Sequence, residues 1–131
     1  MDPQSIQAAA ALAETMIGLD RKDRAAELAE RVLAVESGHP VANLALGMVR
    51  MTEGRFAEAK AALQRSVDTS PSAKAHYQLS LALARLGEKE ASKKHIELYQ
   101  QALQASQAEL LELRGMPSKP DKDKLGADEP K

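Results

Sequence analysis

Residues 43–71 read NLALGMVRMTEGRFAEAKAALQRSVDTSP, two helical patterns, 41–53 and 56–69, hinged at Glu53-Gly54-Arg55-Phe56 and stopped at Pro71. Gly54 breaks the chain there because glycine accepts turn conformations that other residues avoid. Small residues, Gly47 and Ala59, stand where two such helices would cross closely, with Leu46 and Leu63 as the larger apolar partners. The stretch is a helix-turn-helix unit.

The unit recurs on both sides. At an offset of 34 residues Leu12 falls on Leu46, Ala13 on Gly47, Ala25 on Ala59, Ala29 on Leu63 and Ser37 on Pro71. A third copy begins 33 residues after the second: Leu79-Ser80 repeats Leu46-Gly47, Gly87 marks the turn, and Ser92, Ile96 and Tyr99 follow. A fixed period of this size is the mark of a solenoid, in which each unit buries its apolar face on the next. Asp2-Pro3 reads as a helix cap with Pro at the first helical position, Asp20 with Asp23 as the acidic start of a second helix, and Gly38-His39-Pro40 as its end. The expected helices are 4–18, 21–36, 41–53, 56–69, 73–86 and 88–114.

This pattern resembles the tetratricopeptide repeat family, whose units carry an aromatic, Leu-Gly, a second aromatic, then Ala, a further aromatic and Pro. The middle copy matches best, and the first copy, with Ala9, Met16 and Ala25, matches least. His76 takes an aromatic position of the third copy, which suggests a packed core histidine. The resemblance implies a right-handed α-solenoid of about three repeats, near 4–38, 39–71 and 72–103, and the whole helical domain spans 4–114.

Composition agrees with an all-α chain. Apolar residues make up 44% but aromatics only 2%, so Ala, Leu, Val and Met carry the core, and nothing alternates with the period of a strand. The formal net charge is −1 with both signs interspersed, unlike the basic face and stacking aromatics of a nucleic-acid binder. The longest apolar run, Ala8 to Ala13, is too short to insert in a membrane. Cysteine is absent, so disulfides and thiolate chemistry are excluded. A cytoplasmic location is the default reading, and a periplasmic one stays open if an export signal was removed.

No catalytic constellation emerges. His39, His76 and His95 fall in a loop and two different helices, His95 on a helix surface, without the spacing of a helical metal site. Phosphate-binding and nucleophile-elbow motifs are missing. Glu27 with Arg31 and Glu90 with Lys94 read as ordinary neighbours on solvated faces. The chain is therefore read as a non-enzyme with no cofactor and no metal.

In the family it resembles, the first helix of each repeat lines a concave face that holds partner peptides. Here that face would carry Ala10, Glu14 and Ile17, then Leu44, Met48, Met51 and Thr52, then Lys74, Tyr77, Leu81 and Arg85. Methionine adapts to varied partners and tyrosine anchors interfaces. The expected function is a scaffold that binds a protein partner's peptide or helix there. The family's carboxylate clamp for chaperone tails is not expected, because its positions hold Ala10, Glu14, Ala45, Lys74 and Gln78, of which only Lys74 fits.

The two ends depart from the repeat. The last helix is about twice as long as the others, and Ile96, Tyr99, Leu103, Ser106, Leu110 and Leu113 recur at alternating spacings of three and four, a heptad seam. Between Ser5 and Ile17 the only charge is Glu14, although terminal repeats normally turn a polar face outward. The alternative function is therefore assembly, by self-association (as a homodimer, for instance) through the first and last helices or by stacking on further repeats. Residues 115–131, rich in Pro, Lys and acids, are expected to form a disordered polar tail.

Overall fold

The computed structural model describes residues 2–116, and six helices follow one another within them. They are α1 Pro3–Gly18, α2 Lys22–Val35, α3 Pro40–Thr52, α4 Phe56–Thr69, α5 Ala73–Arg85 and α6 Lys89–Leu113, each end within one residue of the sequence expectation. Of the expected tail, 115–131, all but Gly115 and Met116 lies outside the described residues.

Caps explain where the inner helices begin. Asp2 accepts the Ser5 N–H at 2.9 Å with Pro3 behind it, and Ser72 accepts the Ala75 N–H at 3.1 Å. α3 starts on His39, whose Nδ1 accepts the Ala42 N–H at 3.3 Å. That nitrogen must then be unprotonated, so Nε2 carries the hydrogen and donates to Gln7 Oε1 at 3.1 Å. His39 is only 2% exposed, so the residue expected in a loop is a buried cap.

Four helices end in one way. Gly54, Gly87 and Gly115 adopt positive φ, and so does Asp20, at 60°. At each, the left-handed residue donates to the carbonyl three back and its successor to the carbonyl five back: Gly54 to Met51 and Arg55 to Arg50, Asp20 to Ile17 and Arg21 to Met16. Asp20, expected from sequence at the start of α2, instead occupies the turn position that Gly54 and Gly87 hold in the later repeats. Aspartate is among the few residues that tolerate this conformation.

The six helices form three antiparallel pairs stacked in chain order, an all-helical α-solenoid. α3 is central: it packs on α1 and α5 at its sides and on α2 and α4 behind. Alanines that are fully buried, among them Ala13, Ala29, Ala42, Ala45 and Ala59, let the helices approach closely. Leu63 and Leu79 are the largest wholly buried side chains, and burying each contributes about 1.5–3 kcal/mol. The closest approach is at Gly47, where a Cβ would stand 2.5 Å from Leu63 Cγ and 2.6 Å from its Cδ2. Glycine is required there by its neighbour, not by its dihedral angles.

A candidate protein-binding face

α1, α3 and α5 lie side by side with no described layer over their free side. Met48 and Met51 are half-buried and rest against the core cluster that α3 shares with α4 and α5, Leu81 is half-buried, and Tyr77 is 40% exposed. Leu44 is a correction to the sequence reading. It is 6% exposed and packs in the core with Ala59, Leu63 and Val67, so it offers little surface to a partner. Ala75 and Leu79 of α5 belong to the same cluster, so α5 as well as α4 contributes to the burial of Leu44.

Lys74 of α5 reaches Glu14 of α1 at 2.7 Å. The backbones of α1 and α5 do not touch, and the back of α3 is filled by α2 and α4. The ion pair must therefore cross α3 on its free side, joining the first repeat to the third. The other clamp positions give no help to an anion: Ala10 and Ala45 are buried.

Two further groove residues already make contacts of their own. The Arg85 guanidinium lies 5.5 Å from the centre of the Phe56 ring, a cation–π contact that draws it from the groove toward the α4 turn. Tyr77 leans on Tyr99 of α6, ring centres 5.1 Å apart and tilted by 41°. Tyr77 thus presents one edge to solvent while its face is held.

Behind this face the histidines are not independent. His76 is 7% exposed, and its Nδ1 lies 3.0 Å from Nδ1 of His95, with rings stacked at 5.2 Å. His95, expected on the surface, is half-buried against α5. One ring must donate and the other accept, so the two neutral rings hold opposite tautomers. Burial lowers both pKa values, and for His95 the charges of His76 and Lys94 push the same way while Asp68 opposes. Among the described residues no three His, Asp or Glu side chains gather as a metal site would require, and no helix is long and apolar enough to cross a membrane.

The heptad seam divides in two. Ile96 and Tyr99 are half-buried on the α5 side and are not free to pair, whereas Leu103, Leu110 and Leu113 are 39%, 55% and 79% exposed. α1 buries one stripe, Ile6, Ala10 and Ala13, and leaves Leu12 41% exposed.

Sequence reading missed the main charged cluster. Arg50, with its side chain 15% exposed, meets Glu30 and Glu53 at 2.7 Å and Glu58 at 3.5 Å, tying α2, α3 and α4 together. The Glu53 hydrogen bond, with Glu30 behind it, raises the Arg50 pKa further. Glu27 turns to Arg24 at 3.5 Å in place of its expected partner Arg31.

Comparison with known proteins agrees with this architecture. A family model described as tetratricopeptide repeat matches residues 23–86, and a second of the same description matches 73–108. α1 lies outside both, as its weak match to the repeat pattern would suggest. No curated protein matches the sequence. A solved structure of a MamA point mutant is similar over 76% of this chain and 74% of that one, at 21% identity and a TM-score of 0.64, which speaks to the fold. The chain belongs to the tetratricopeptide repeat family, α-solenoid scaffolds for protein interaction.

Proposed function

We propose that the free face of α1, α3 and α5 binds a peptide or short helix of a partner protein, and that the protein acts as a non-catalytic adaptor. The observation that carries this reading is the row Met48, Met51, Tyr77 and Leu81, left partly open on inner helices whose other sides are filled. Lys74 adds a charged edge that is already paired with Glu14. A bare carboxylate would have to compete with that pair, which argues against a chaperone-tail clamp.

Covering three or four of these side chains would contribute about 1.5–3 kcal/mol each. Ordering a peptide offsets much of that gain, so an affinity near micromolar, about −8 kcal/mol, is expected. Helical peptides selected from a displayed random library against the immobilised protein provide the test. Clones that bind the wild type should lose binding to the Met48→Glu plus Leu81→Glu variant, at unchanged helical content by circular dichroism. Binding that survives both substitutions would mean that the site lies elsewhere.

A further inference from the structure

α6 outruns its support. At about 1.5 Å per residue, its 25 residues span ~37 Å, whereas the 13 residues of α5 span ~20 Å. As far as Ala102 the helix is half-buried on its α5 side. The same stripe then continues, because a seven-residue step drifts by only ~20° around a helix. Beyond that point nothing described lies beneath it. Leu103, Leu110 and Leu113 are exposed, with Ser106 between them, and Met116 adds a further apolar group 53% exposed.

We propose that this arm, residues 103–113, pairs with the same arm of a second copy, and that the two helices run antiparallel. Sterics select the direction. The bare stripe prolongs the line that α5 occupies, so a parallel mate seated on it would have to run its own 89–102 segment through α5. A mate arriving from the opposite end meets only the open stripe.

The spacing then matches itself. An antiparallel register centred on Ala108 sets Leu103 against Leu113 of the second copy and Ser106 against Leu110 of the second copy, each twice by symmetry. Large side chains thereby meet small ones as well as large ones, which fills the layer without crowding. The register also sets Glu109 level with Gln107 of the second copy and Glu112 level with Gln104 of the second copy. No acid stands level with its like. Arms this short cover less than the ~1,200 Å² of a stable interface, so the pair is weak and forms at about tens to hundreds of micromolar protein.

The chain contains no cysteine, so an introduced thiol reports without background. Leu103→Cys and Leu113→Cys are prepared separately in the full chain and oxidised mildly, alone and as an equal mixture. Paired arms hold the two thiols at high effective concentration, so the mixture should form disulfide dimers at least about tenfold faster than either variant alone. Lys93→Cys, exposed outside the arm, measures random collision. Sedimentation of the wild type should show a dimer that grows with concentration, and Leu110→Glu should remain monomeric with its helix content intact. Single variants that cross-link as fast as the mixture would mean parallel pairing and overturn the proposal. So would a wild type that stays monomeric at several hundred micromolar, which would leave the arm to a different protein.

Discussion

Replacing Gly47 by alanine should destabilise the protein in one background and stabilise it in another. The added Cβ would stand 2.5 Å from Leu63 Cγ, the branch point of a wholly buried side chain, so Leu63 must leave its position. Overpacking of this kind costs about 1–3 kcal/mol. Exchanging a helical glycine for alanine returns about 1 kcal/mol of helix propensity. Gly47→Ala should therefore cost about 0–2 kcal/mol on balance. Leu63→Ala alone leaves a cavity and should cost about 2–5 kcal/mol. With Leu63 already shortened, the new methyl group keeps only a 3.4 Å contact with the Ala59 carbonyl oxygen and fills part of the cavity, so Gly47→Ala should then stabilise by roughly 1 kcal/mol. The double variant reproduces at repeat two the Ala13 and Ala29 that stand at the same positions of repeat one, both fully buried. Urea denaturation followed by far-ultraviolet circular dichroism gives the four stabilities of the cycle. A coupling of about 1–3 kcal/mol is expected, and one below about 0.5 kcal/mol would refute the view that Gly47 is fixed by Leu63.

The histidine pair should make the fold acid-sensitive. Both pKa values lie below the ordinary ~6.5, so this contribution is whole above that pH and is lost as pH falls through it toward the lower folded-state values. Urea midpoints should drop between about pH 7 and pH 5, and His76→Phe with His95→Leu should shrink the drop; an unchanged drop would assign it to other groups. Arg50→Met keeps the apolar stem but removes contacts to three glutamates whose side chains are 41–56% exposed. Solvent screens each pair to about 0–1 kcal/mol, so the loss should total about 1–2 kcal/mol. It should narrow in ~1 M salt, where charges are screened within a few ångströms, and a salt-independent loss would mean that stem packing dominates.

Much of the fold was written locally. Gly54 and Gly87 announce turns because their conformation suits no other residue as well, and the 34-residue offset repeats whatever packing demands. Asp20 misled for the same reason in reverse: an acid before a helix reads as a cap, and only its alignment with Gly54 reveals a left-handed turn. The face was less legible than the helices. Neighbouring residues on a helix point about 100° apart, so whether Leu44 faced solvent or core depended on where α5 came to rest. Lys74 and Glu14 are 60 residues apart, and His76 and His95 are 19 apart, each on its own helix. No periodicity links such pairs. They are consequences of how the repeats stack.

In a solenoid each unit ordinarily feels only its immediate neighbours, so stability adds link by link along the array. The Glu14–Lys74 contact breaks that rule by tying the first unit to the third over the second. Such a tie spans the inner side of α3 as a chord and weakly favours the spacing of α1 and α5 at which the two charges meet. Under the binding mode proposed above, a partner too wide for that chord would have to part the two charges, while a narrow one would leave both undisturbed. Solvent exposure keeps the tie to about 0–1 kcal/mol, so the first and third units are coupled but not locked.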